Sequence, residues 1–181
     1  PVFSMSKLVG VDTFLGPEMK STGEVMGIDR TFEGALTKAL MSSDLALEPG
    51  AAVLLSLSDH TKAEALPLIR KLAGAGCPLY ATEGTAQVIE ALGLPVTMIT
   101  KMRGGHPNVV DVIQDGTVQC VINTPEGLFI RALRDGFLFR RTAAEKRIPC
   151  FTSMDTARAA VDALANRAGY DVATLREYVN P

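Results

Sequence analysis

The sequence predicts an α/β fold built on a parallel five-stranded sheet, and three observations carry that expectation. From Ala51 onward, apolar runs of about five residues alternate with helix-patterned stretches, the rhythm of a parallel sheet covered on both faces. Residues 52–57 are almost continuously apolar, as a strand buried on both sides requires. Pro78-Leu79-Tyr80 runs into Ala81-Thr82-Glu83-Gly84-Thr85-Ala86 and then into a helical pattern, a strand, turn and helix arrangement that the chain repeats.

Taken in order, residues 1–41 do not hold a self-sufficient unit. They carry two short β-like pieces, 2–4 and 6–9, and a turn-rich segment from Gly16 to Gly27. Thr31 then caps a helix over 32–41, with Phe32, Ala35, Leu36, Ala39 and Leu40 on one face. One helix and loose pieces bury little area, so this part reads as the tail of a preceding domain or a strap on the next. Residues 42–50, ending in Pro49-Gly50, read as a linker. Strands follow at 52–57, 77–81, 95–100, 118–123 and 148–152. Helices are expected at 61–73, 85–92, 108–114, 142–146, 156–167 and 171–178. Pro67 predicts a kink in the first of these or a later start.

Composition narrows the function classes. The chain has 181 residues, 47% of them hydrophobic, enough for one core with an appendage or for two small domains. A net charge of −2 and a pI near 5.7 leave no footprint for nucleic acid or an anionic membrane. No apolar run is long enough to cross a bilayer, and no secretory pattern opens the chain. Cys77, Cys120 and Cys150 fit neither a disulfide frame nor a zinc site, so reduced thiols and a cytoplasmic setting are expected. A start at Pro1 suggests a piece of something larger.

In open parallel sheets ligands bind beyond the carboxyl ends of the strands. The residues that follow the five strands are, in turn, Ser56, Ser58, Asp59, His60 and Lys62; Thr82, Gly84 and Thr85; Lys101, Arg103 and His106; Asn123 and Thr124; Thr152 and Ser153. Lysines offer point charges for phosphate, and hydroxyls with helix N-termini offer directed bonds. Each has a bland alternative: Lys62 and Lys101 as solvated surface lysines, His106 as a loop residue, Asn123 as a turn former, Thr152 as an N-cap. Their convergence on one rim points instead to a phosphorylated small molecule. Catalytic signals are thin. There is no nucleophile elbow or Walker loop, and the rim carboxylates Asp59 and Glu83 have no base-orienting partner legible in the sequence. Binding is favoured over turnover.

The segment 15–27, Leu-Gly-Pro-Glu-Met-Lys-Ser-Thr-Gly-Glu-Val-Met-Gly, resembles the end of the second synthetase half of the carbamoyl-phosphate synthase large subunit. Leu54-Leu55-Ser56, the 81–86 turn, Asn108-Val109-Val110-Asp111 and the 121–127 stretch resemble the methylglyoxal-synthase-like domain that follows it. The resemblance implies an ATP-grasp remnant in residues 1–45 and a three-layer, Rossmann-like allosteric module from 50 to 181. It implies UMP or IMP as effector, its phosphate at Lys62, Thr82, Gly84, Thr85 and Lys101, its base and ribose near Asn123 and Thr124, and an ornithine contact at Thr152. The intact protein would be a glutamine-hydrolysing ligase using ATP with Mg or Mn and K, partnered by a glutaminase small subunit, with self-association left open. The fragment itself is expected to be non-catalytic and to need no cofactor. Methylglyoxal synthase proper has an aspartate after the paired glycines and a histidine before the first-turn aspartate. Here His106 and Ser58 stand in those places, which argues against lyase chemistry. The alternative is a small phosphate-ester enzyme of methylglyoxal synthase or IMP cyclohydrolase type.

Overall fold

A computed structural model of the chain describes residues 1–8, 10–101, 105–124, 130–165 and 172–179. The strands are β1 (Val53–Ser56), β2 (Leu79–Thr82), β3 (Thr97–Ile99), β4 (Cys120–Asn123) and β5 (Cys150–Phe151). The helices are α1 (Phe32–Ser42), α2 (Asp59–Gly74), α3 (Glu83–Ala91), α4 (Val109–Gln114), α5 (Ile130–Glu145), α6 (Met154–Ala165) and α7 (Leu175–Val179). The five strands form one parallel sheet in the order β3-β2-β1-β4-β5.

Alternation along the strands divides the core. Val53, Leu55, Ala81 and Ile122 pack with Ala65, Ile69 and Leu72 of α2, Ile89 of α3, and Ala157 and Val161 of α6. Leu54, Val121 and Ile99 point the other way, against Val109 and Ile113 of α4 and Phe139 and Ala143 of α5. Every residue of β1 and β4 is buried, because both central strands are covered on both faces. The result is the expected three-layer α/β arrangement, with α1 stacked outside on α6.

The structure departs from the sequence expectations where tertiary contacts override local pattern. The short helix expected at 142–146 is the last turn of α5, a 16-residue element. Its polar residues Arg140, Arg141 and Thr142 are buried by contacts that no periodicity reveals. Pro67 neither delays nor ends α2, which runs from Asp59 through Pro67 to Gly74. Five buried positions, Thr61, Ala65, Leu68, Ile69 and Leu72, hold it to the sheet despite the missing N–H. The expected strand at 2–4 amounts to a single antiparallel bridge, Val2 with Gly23, and residues 5–7 form a 3-10 turn instead of a strand. Val9, the end of that expected strand, lies outside the described residues, as does Arg167 at the expected end of α6. Thr31 caps α1 as expected, its hydroxyl accepting from Gly34 N at 3.1 Å. The fully buried residues of α1 are Gly34 and Thr37; of the expected face, Leu40 packs against the core, Ala35, Leu36 and Ala39 are half-buried, and Phe32 is 72% exposed. The reason is Gly27: a Cβ there would sit 1.9 Å from Ala35 O, so the preceding chain lies directly on the helix backbone.

Candidate functional site

The chain runs from β1 outward to β2 and β3 on one side, then crosses to β4 and β5 on the other. The helices that follow β1 and β4 pack on opposite faces of the sheet, α2 on one and α5 on the other, and Ser56 and Asn123 at the ends of the two strands are register partners. Such a divergence leaves a crevice at the carboxyl ends of neighbouring strands.

Among the described residues, α2 and α3 start at this rim with no side-chain cap. Ser58 precedes α2 and Thr82 precedes α3, and neither side chain bonds a first-turn N–H. By contrast Thr31 caps α1 and Asn108 closes a full capping box on α4. The first turns of α2 and α3 thus keep open N–H donors at the positive ends of their dipoles. Lys62, at the end of the first turn of α2, reaches across: a Cβ on Gly84 would lie 3.0 Å from its Nζ. Glycine at 84 is what lets the ammonium approach the start of α3. Lys62 Nζ also donates to Asp59 Oδ1 at 2.5 Å. The Asp59 carboxyl is held below its ordinary value, by that Lys62 bond and charge first and also by the charge of Lys101. Lys101 follows β3 and is exposed, and no hydrogen bond ties it to the described residues. Lys101 thus acts on the Asp59 carboxylate by charge alone, while Lys62 bonds it directly.

The hydroxyls play more structural parts than the sequence suggests. Thr85 is 1% exposed, and its Oγ1 accepts from Leu57 N at 3.0 Å, tying α3 to the end of β1. Thr82 Oγ1 makes only a long 3.4 Å contact with Ser56 Oγ. Thr124 Oγ1 accepts from Ser58 N at 2.9 Å and shares a buried hydroxyl cluster with Thr61 at 2.8 Å and Ser58 Oγ at 3.2 Å. Asn123 is engaged at both ends of its amide: Nδ2 donates to Ser56 O at 3.2 Å, and Oδ1 accepts from Arg140 Nη1 at 3.0 Å.

Other expected residues stand apart. Thr152 follows β5, the edge opposite β3, roughly 14 Å from β2 across three strand spacings. It shares the rim but not the lysine cluster. Nor is it the cap of α6: Ser153 takes that place, with Thr156 N donating to Ser153 Oγ at 3.3 Å. His106 Nδ1 lies 2.5 Å from Asp111 Oδ2, and the Asp111 carboxyl is lowered by Asn108 N–H first and His106 second. Arg103 and the 125–127 motif lie outside the described residues.

Sequence reasoning missed Arg140 and Asp12. Arg140 is 1% exposed and donates Nε and Nη2 to Asp12 Oδ1 and Oδ2 at 2.8 and 2.6 Å. A signal was present: paired arginines after Phe137-Leu138-Phe139, where an exposed helix face would not need an apolar run. A separate groove of about 540 Å³ lies along α4 and α5, but Asp111, Asp115 and Glu145 against Lys146 give it the wrong sign for phosphate. Among the described residues no cluster of three or more His, Cys, Asp or Glu is arranged to hold a metal, and no helix is long and apolar enough to cross a membrane.

The wholly parallel sheet, with its donor-rich rim at the β1/β4 divergence, defines a class of α/β domain. Residues 64–152 match the family model described as MGS-like domain. The chain is 58% identical over 165 residues, 91% of its length, to the carbamoyl phosphate synthase large chain of Thermomicrobium roseum. It is 43% identical over the same share to the carbamoyl phosphate synthase large chain of Acidobacterium capsulatum. In both it spans about 15% of the relative's length. The chain belongs to the carbamoyl phosphate synthase large chain family, as a segment carrying an MGS-like domain.

Proposed function

We propose that this segment is the allosteric regulatory part of a carbamoyl phosphate synthase large chain, and that the rim binds a nucleoside monophosphate of the UMP or IMP kind. The phosphate is held by Lys62, Thr82, Thr85 and Lys101, with Gly84 clearing the approach. The base and ribose lie toward Asn123 and Thr124. The observation that carries this reading is the placement of the Lys62 ammonium against Gly84 at the uncapped start of α3, with Lys101 acting on the same carboxylate. Two cations and two open helix N-termini form a site for a compact dianion. Asp59 occupies Lys62 when no ligand is bound, so the incoming phosphate exchanges one anion for another. Thr152 is assigned to ornithine, at the far end of the rim. We divide the chain near residues 45–50, with an ATP-grasp remnant before it. ATP with Mg or Mn, K, the glutaminase partner, the glutamine-hydrolysing ligase activity and a cytoplasmic location are assigned to the intact protein.

Calorimetry of UMP and IMP on the unmodified chain and on Lys62→Ala tests the assignment. A charge-assisted phosphate contact is worth roughly 1.5–3 kcal/mol, so affinity falls at least several-fold. Equal affinity in both rejects the phosphate site. One observation favours a second reading, a small phosphate-ester enzyme: the bond from His106 to Asp111 orients an imidazole at the rim, as a general base requires. Turnover of dihydroxyacetone phosphate that disappears in His106→Ala would establish that reading over the first.

A further inference from the structure

We infer that Arg140 is a positioning residue that couples the carboxyl end of β4 to the segment around Asp12. The inference deepens the regulatory reading of the rim, and its ligand arm rests on that reading. Arg140 presents three N–H donors to two separate parts of the chain: Nη1 to Asn123 Oδ1 at the rim, Nε and Nη2 to the two oxygens of Asp12. A planar guanidinium holds such a fork rigidly, so displacement at one end is felt at the other. Neither end of the Asn123 amide can turn to a ligand without releasing Arg140 or Ser56 O. Space is reserved for the link: a Cβ on Gly136, one turn before Arg140, would lie 2.7 Å from Arg140 Nη1 and 3.4 Å from Asn123 Oδ1. The far end is anchored as well. The Phe14 ring lies 5.8 Å from the guanidinium carbon, and Lys20 Nζ donates to Phe14 O at 2.6 Å and Asp12 O at 3.4 Å. Arg141 holds the same segment by a separate tie, to Met5 O and Leu8 O, without touching the rim.

Amide exchange read by NMR on the full 181-residue chain tests the coupling. Thr124 N donates to Ser56 O beside Asn123 and does not touch Asp12. Asp12→Asn is expected to speed exchange at Thr124 several-fold, while Arg141→Gln, which loosens the segment by its other tie, leaves Thr124 unchanged. Asn123→Ala is expected to speed exchange at residues 12–14; should that variant not fold, the Thr124 comparison decides. Unchanged Thr124 exchange in Asp12→Asn, or equal acceleration in Arg141→Gln, overturns the inference. In the ligand arm, saturating UMP is expected to alter exchange at residues 12–14 in the unmodified chain and not in Asp12→Asn. UMP binding without that alteration overturns the coupling. Absence of UMP binding rejects the effector reading instead, and the Thr124 comparison then decides the coupling alone.

Discussion

At the scale of single residues, the rim separates groups that build the site from groups free to meet a ligand. Thr85 is of both kinds: its oxygen is committed to Leu57 N, and its O–H proton is left for the phosphate of the proposed site. Thr85→Val leaves the Leu57 N–H buried without an acceptor, a loss of about 1–3 kcal/mol. Thr82→Val removes only a long hydroxyl contact and is expected to cost less than about 1 kcal/mol. Chemical denaturation of the two variants checks the difference. Asp59, its side chain 82% exposed, pairs with Lys62 and would compete with the phosphate of the proposed site. Asp59→Asn removes the internal anion without removing the cation, so UMP affinity by calorimetry is expected to rise several-fold. A fall in affinity would mean that Asp59 orients Lys62 for the ligand.

At the scale of elements, helix position depends on close backbone contact that only glycine permits. The chain at Gly27 lies on α1 so tightly that an added Cβ would meet Ala35 O at 1.9 Å and Ala39 N at 2.8 Å, both backbone atoms that cannot rotate away. Gly27→Ala must therefore displace the 16–27 segment or α1. The expected cost is at the upper end of the ~1–3 kcal/mol typical of overpacking. Melting temperature and exchange along α1 check it, with the core of α2 expected to remain protected. Gly34 is constrained in the same way, its added Cβ lying 2.5 Å from the Asp29 carboxyl carbon. Asp29 in turn pairs with Lys38 of α1 at 2.7 Å. These contacts explain why Gly34 faces inward on α1 while Phe32, two residues earlier, is left exposed.

At the scale of the whole molecule, the N-terminal segment is fastened to the sheet unit through Arg140 and Arg141. Burial alone would push the Asp12 carboxyl up. The Arg140 hydrogen bond, the Phe14 N–H and the charges of Arg140 and Lys20 outweigh it and hold the group below its ordinary value. A carboxyl depressed in the folded state stabilises the fold above its unfolded value, about 3.9, and that stability is lost as pH falls through the folded value. Asp12→Asn is therefore expected to cost roughly 2–3 kcal/mol at neutral pH. That is less than the 3–5 of a fully buried pair, because a third of the Asp12 side chain is exposed. Thermal melts against pH should show the gap between the two chains holding from about pH 7 to 5 and closing below about pH 4. A gap that persists in strong acid would remove the charge from the explanation.

What the sequence determined by itself was everything that follows from local pattern. Apolar runs such as 52–57 announced buried strands, and alternation with helices announced a parallel sheet. A parallel sheet in turn determines that Ser56, Lys62, Thr82, Lys101, Asn123 and Thr152 stand at one end of it. Only the tertiary structure decided which of them meet. Strand order puts Thr152 and Lys101 on opposite edges, because neighbours in sequence need not be neighbours in a sheet whose chain crosses over between β3 and β4. It also decided which side-chain oxygens already accept a bond from within the fold. Thr85 serves Leu57 N and Asn123 serves Arg140, bonds across 28 and 17 residues that no spacing rule reaches. The pairing of Asp12 with Arg140, 128 residues apart, lies furthest from any local signal. A buried guanidinium is chosen by what the completed fold leaves unsatisfied around it, and that sum exists only once the chain is folded.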